Sequence, residues 1–169
     1  APICALEVAA QARALHNNRA PSPLDDMANE LLKYGGDALA EALALFFSLQ
    51  FTWEVKAQTP GVICPIYKRG DPTEPTNWRP ITLGSAVDKL YNLILNARLC
   101  RHLEGQGLRG SRLHDAQNGF RPGRSAVDNI FMLTTCLSAR AHQGLDTYVL
   151  FLDIQKAYDT VWRAGLLWH

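Results

Sequence analysis

The sequence has no apolar run near the roughly 18–20 residues that a membrane-spanning helix needs. Its longest greasy stretch, Ala38 to Leu49, is short and is interrupted by Glu41. No Lys/Arg start followed by an apolar block opens the chain, so no signal peptide is visible. An initiator Met is also lacking, which leads us to expect an excerpt of a longer chain. Neither sign of charge is in excess. Seventeen Lys plus Arg against sixteen Asp plus Glu leave +1, which excludes a wholly basic nucleic-acid-binding chain but not a locally basic one. Cys4, Cys64, Cys100 and Cys136 form no C-x-x-C pair, and the five histidines form no H-x-x-x-H pair. Local zinc and redox motifs are therefore absent, and four free thiols in a reducing compartment are the plain reading.

What is present is a chain of 169 residues, 47% hydrophobic and 20% charged. That suffices for one ordinary domain with a core and argues against disorder. Charge is unevenly spread. Residues 98–124 hold six arginines (Arg98, Arg101, Arg109, Arg112, Arg121, Arg124) against Glu104 and Asp115, whereas residues 1–60 are net acidic. A basic segment in a neutral chain suits a polyanion-binding surface, although a solvated arginine-rich loop has the same composition.

The first half reads as helices. Leu6–Leu15 is alanine-rich and free of Pro and Gly, and Asn17–Pro23 is a break. Asp25 and Asp26 precede a helix from Met27 to Tyr34, which Gly35-Gly36 ends. Asp37 is expected to cap the next helix, Ala38 to about Gln50. Val62–Tyr67 reads as a short edge strand because of Pro65, and Lys68–Pro80 as a loop or hairpin tip. Apolar residues at helical period mark Ser85 to about Glu104, with Gly105 and Gly107 stopping it. Arg109–Arg124 is a second polar loop. Ser125 and Asp128 form a capping-box pattern ahead of a helix to about Ala141, with Val127, Ile130, Phe131 and Leu137 as its apolar face. Thr147–Leu152 is a continuous β-branched and aromatic run, read as a central strand buried on both faces, with Asp153 at its carboxyl end.

Three groups carry chemistry. Asp153, followed by Ala157, Tyr158 and Asp159, gives D-x-x-x-A-Y-D at a sheet rim, where hard cations are held with water and substrate ligands. The bland alternative is a turn cap. Lys68 and Arg79 open and close one polar loop, suiting a triphosphate, with Lys as a point charge and Arg as a planar fork. The alternative is a hairpin with incidental charges. Arg121 and Arg124 bracket Pro122-Gly123 before a helix N-terminus, a phosphate-backbone clamp or else a rigid turn with paired arginines.

PIYKRGDPTEPTNWRPITL (65–83), QNGFRPGRSAVDNIF (117–131) and VLFLDIQKAYDTVW (149–162) resemble, in order and spacing, three blocks of the reverse transcriptases of non-LTR retrotransposons. The upstream NELLKYGGDALAEALALFF is also similar to that family's approach to the fingers, so the resemblance covers roughly residues 20–169. It implies an α+β chain with a partial right-hand polymerase fold: mainly helical fingers plus the first strands of an antiparallel palm sheet. The implied segments are 1–60 (helical approach to the fingers), 61–145 (fingers) and 146–169 (beginning of the palm). The implied activity is RNA-directed DNA synthesis by two-metal nucleotidyl transfer, with Mg2+ as cofactor.

On this resemblance Asp153 and the Ile154 carbonyl are metal ligands, and Lys68 and Arg79 grip the incoming deoxynucleoside triphosphate. Backbone amides near Lys156 and Ala157 face the same phosphates. Tyr158 lies under the sugar and rejects a 2′-hydroxyl, Arg121 and Arg124 lie along template RNA and DNA primer, and Asp159 buttresses the loop. The aromatic-Ala-Asp-Asp turn and the later palm strands of the family are not among these residues, so the 169-residue stretch is expected not to polymerise DNA alone, and Thr147–Leu152 is expected to lack partners and to leave an exposed edge and apolar faces. The chain also has SPLDD (22–26) where the family has a Gly-rich start to the fingers. Intracellular residence, nuclear or cytoplasmic and without a membrane partner, follows only from the family. The alternatives are a non-catalytic nucleic-acid-binding remnant and a group II intron maturase-like enzyme.

Overall fold

The computed structural model describes residues 1–53, 60–105, 113–154 and 157–166. The expected features at Gly107, Arg109, Arg112 and Lys156 lie outside the described residues. The chain divides into two compact units, Ala1–Leu113 and His114–His169.

The first unit carries helices α1 (Ala5–Arg13), α2 (Asn29–Tyr34) and α3 (Gly36–Thr52), a hairpin of β1 (Val62–Tyr67) and β2 (Trp78–Leu83), and helix α4 (Ala86–Glu104). Its core is one cluster: Val8 and Ala12 of α1, Leu32 of α2, Ala40, Ala44 and Phe47 of α3, and Leu90 and Ile94 of α4 are all buried. These positions recur every three to four residues along each helix, so each contributes one apolar stripe. The rings of Phe47 and Tyr91 lie 5.2 Å apart at the centre.

Two long-range polar contacts lock this packing, and neither was foreseen. Arg98 of α4 forms a bidentate pair with Glu7 of α1 (Nε–Oε1 2.9 Å, NH2–Oε2 2.7 Å) and also donates to the carbonyls of Ala1 and Pro2. The hydrogen bonds from Arg98 hold the Glu7 carboxyl down at about 2. Asp25 was expected to serve the dipole of α2. Its Oδ2 instead accepts from Ser85 Oγ (2.7 Å) and from Ala86 N (3.2 Å), across 60 residues, and so completes the cap of α4. Burial pushes the Asp25 carboxyl up, but the hydrogen bonds from Ser85, Ser22 and two backbone amides outweigh it and hold the group below its ordinary range. Helix α2 consequently begins at Asn29, two residues later than Met27. Helix α3 begins at Gly36, with Asp37 in its first turn rather than at its cap.

The hairpin is antiparallel, pairing Val62 with Leu83 through to Tyr67 with Trp78. Lys68–Pro80, expected to be a loop or hairpin tip, is the tip of this hairpin together with the first residues of β2, a strand the sequence reading did not assign. Pro65 faces Pro80. Lys68 N donates to Asn77 O at 2.8 Å, so counting back along the ladder puts the two prolines at a non-hydrogen-bonded pair. A missing N–H costs nothing there.

The second unit carries α5 (Ala126–His142), α6 (Ala157–Thr160) and α7 (Arg163–Leu166). The capping box forms: Ser125 N donates to Asp128 Oδ2 at 2.6 Å. Two expectations fail here. Thr147–Leu152 is not a strand, because no described residue pairs with it and an isolated strand leaves its backbone groups to water. Its side chains are open, with Phe151 79% and Leu152 86% exposed. The apolar face of α5 is likewise unburied, for no described residue of that helix is buried.

Candidate active site

Lys68 and Arg79 share one hairpin and one face of it. Arg79 pairs with Ile66, and Lys68 stands opposite Asn77, so the two cations are diagonal cross-strand neighbours. The other face braces the tip. Tyr67 and Trp78 stack with centroids 5.3 Å apart, closest where the ladder has its non-hydrogen-bonded pair. Trp78 Nε1 donates to Pro72 O at 2.9 Å, and Tyr67 OH donates to Gly70 O. Asp71 accepts from Thr73 N (2.9 Å) and Thr73 Oγ1 (2.7 Å), and these bonds hold its carboxyl below the usual range. Gly70 sits at φ +96°, a conformation that an L side chain resists. The tip is thus fixed by its own polar groups. Lys68 Nζ donates only a long hydrogen bond, 3.5 Å, to the Thr76 carbonyl, and the Arg79 side chain makes no hydrogen bond or ion pair with a described residue. Both charges remain available to an anion.

Arg121 and Arg124 differ from the open clamp expected of them. Arg121 is 9% exposed. Its NH1 donates to Gln117 O (3.1 Å) and His114 O (3.3 Å), because the turn after residue 114 leaves carbonyls that no helix satisfies. Arg121 therefore holds the loop, and Arg124 is the solvent-facing member. Arg124 NH1 lies 3.4 Å from Asn118 Oδ1, and Asn118 Nδ2 in turn donates to Asn129 of α5. Asn118 is the positioning residue that the sequence reading passed over, although it stands inside the block 117–131. The N-terminus of α5 is occupied by Asp128 and offers no empty anion seat.

Asp153 does not emerge from a sheet. It is exposed at the end of the unpaired apolar segment and makes no hydrogen bond or ion pair with a described residue. Ile154 beside it and Tyr158 on α6 are also exposed, Tyr158 at 76%. Asp159 belongs to α6.

These features define a class: an α+β protein that presents cations to water from a braced hairpin of its first unit, and an exposed carboxylate and an exposed tyrosine from its second. Residues 66–168 match the reverse transcriptase (RNA-dependent DNA polymerase) family. The chain belongs to that family, in its non-LTR retrotransposon branch. It is 31% identical over 157 residues to a probable RNA-directed DNA polymerase from transposon X-element of Drosophila melanogaster, covering 89% of this chain and 16% of that protein. It is 30% identical over 169 residues to the corresponding probable polymerase from transposon BS, covering 98% and 18%. It is 40% identical over 101 residues to a retrovirus-related Pol polyprotein from type-1 retrotransposable element R2 of Popillia japonica, covering 60% and 13%. The chain therefore spans less than a fifth of the length of these relatives.

The family generally uses a divalent metal. Magnesium demands about six oxygens in octahedral array. Asp153 and the Ile154 carbonyl carry oxygens of the kind magnesium takes, but no group of three or more His, Cys, Asp or Glu occurs among the described residues. The described residues therefore hold no complete donor set for the ion. No helix among them is long and apolar enough to cross a membrane.

Proposed function

We propose that these residues form the fingers and the opening of the palm of an RNA-directed DNA polymerase of a non-LTR retroelement. It would extend a DNA primer on template RNA with deoxynucleoside triphosphates. The observation that carries this reading is the hairpin cation pair, unengaged and braced from its other face, inside a chain of this family. Lys68 neutralises the triphosphate as a point charge, and the Arg79 guanidinium meets two of its oxygens in a plane. Arg124 meets the sugar–phosphate backbone of the template–primer, held in place by Asn118 and by the loop that Arg121 ties. Tyr158 lies against the sugar of the incoming nucleotide. Asp153 and the Ile154 carbonyl would hold magnesium, which when bound would supply charge neutralisation at the reacting phosphate. On this reading 61–145 acts as the fingers, 146–169 begins the palm, and 1–60 is the helical approach. The enzyme works inside the cell, at its nucleic acid.

The experiment is steady-state primer extension with a polypeptide of the relatives' full length containing these residues. Lys68→Ala and Arg79→Ala should each raise KM for dNTP by about 10- to 100-fold, the effect of losing one charge-assisted contact. Affinity for annealed template–primer should be unchanged. An unaltered KM with weakened template binding would overturn the assignment.

A further inference from the structure

The first unit contains a cleft of about 660 Å³ that none of these roles uses. Its walls are the loop 19–23, the end of β2 with Gly84, and one face of α4. Its size falls within the roughly 300–1,000 Å³ of ligand sites.

The lining falls into three groups. Arg19 and Lys89 bring two cations, neither with a side-chain bond to a described residue. Asn92 and Asn96 bring amides from one stripe of α4. Asn92 has no side-chain bond to a described residue, and Asn96 is met only by Cys100 Sγ at 3.7 Å. Met27, Leu83 and Leu93 bring apolar surface. The N-terminus of α4, which would otherwise attract an anion, is taken by Asp25. An anion in the cleft therefore meets Lys89 and Arg19.

We propose that this cleft binds an extended, acidic peptide segment. Asn92 and Asn96 stand four residues apart, about 6 Å along the helix axis. Alternate residues of an extended peptide repeat at about 6.6–6.8 Å. Successive outward-facing peptide groups thus fall opposite the two amides, and each asparagine has both a donor and an acceptor for them. The span from Lys89 to Asn96, about 10 Å, holds three extended residues. Lys89 and Arg19 receive the carboxylate, and Met27, Leu83 and Leu93 take an apolar side chain. A polynucleotide fits less well. No aromatic ring among the described residues lines the cleft for bases to stack on, and Asp88 leaves the lining with only one net positive charge, enough for a single carboxylate but not for a run of phosphates.

The test is a titration of the isotope-labelled 169-residue chain with an end-blocked octapeptide of alternating aspartate and valine. It is followed at the asparagine side-chain amide resonances. The Asn92 and Asn96 signals should shift and saturate below about 1 mM. Asn92→Ala with Asn96→Ala, both solvent-facing and so compatible with the fold, should weaken binding at least about tenfold. Arg19→Glu with Lys89→Glu should transfer binding to a lysine–valine octapeptide. Three results would each overturn the proposal: no saturable shift, equal binding by a peptide N-methylated at alternate residues, or the same shifts from octauridylate at lower concentration. The last would make the cleft a nucleic-acid site.

Discussion

The two units use similar helices differently. Helix α4 of the first unit buries Ala86, Leu90 and Ile94, and its cap is tied to Asp25 by a contact that spans the fold. Helix α5 of the second has a capping box within its own first turn and buries no described residue. The first unit is held by a shared core. Among the described residues of the second, order is local: a capped helix, an arginine-tied turn and two single-turn helices. A helix thus requires only local signals, whereas a core requires apolar stripes that meet. The residues proposed for the palm all fall in the unit that shows no apolar core among its described residues.

The comparison breaks most sharply under truncation of large side chains. Phe47→Ala, at a fully buried site, should destabilise the first unit by about 3–5 kcal/mol in denaturant unfolding. Phe151→Ala should cost less than about 0.5 kcal/mol. A large loss at Phe151 would mean that the ribbon packs after all.

The Arg98–Glu7 contact gives a middle-sized effect. Arg98→Ala should cost about 1–2 kcal/mol, since both side chains are only about one-fifth exposed and the pair is charge-assisted. Its pH dependence has a definite sign. Glu7 titrates at about 2 in the folded chain against 4.5 normally, so it binds fewer protons when folded. Its contribution is complete above the normal value and is lost as pH falls from about 4.5 towards 2. Acid unfolding of wild type and Arg98→Ala should converge across that window, and parallel curves would contradict the assignment.

The caps give the smallest effects. Asp25→Ala should cost about 1 kcal/mol, read as lost hydrogen-exchange protection at the start of α4. Asp128→Ala should cost about 0.5–1 kcal/mol and loosen only the first turn of α5.

Legibility follows the same division. Helices α1, α3, α4 and α5 were readable because periodicity, Gly stops and the Ser125–Asp128 box are local. Strand β2 was not readable, because Pro80 and the polar Asn77-Trp78-Arg79 mask it, and its partner ladder exists only in three dimensions. The Thr147–Leu152 run carried the composition of a strand but not the neighbour that would make it one. The Asp25–Ser85 and Glu7–Arg98 bonds join residues 60 and 91 apart, beyond any pattern argument. At the site, Lys68 and Arg79 were legible as neighbours because they open and close one polar loop that folds back. The split between buried Arg121 and open Arg124 depends on carbonyls that the sequence does not display.

The most direct measurement concerns Asp153. In a polypeptide of the relatives' full length, wild type and Asp153→Ala are compared for magnesium-dependent primer extension and for template–primer affinity on the same preparations. A metal ligand at this position requires synthesis to fall at least about a thousandfold while affinity stays within about twofold. Retained synthesis, or affinity lost in step with it, would contradict the role given to this carboxylate.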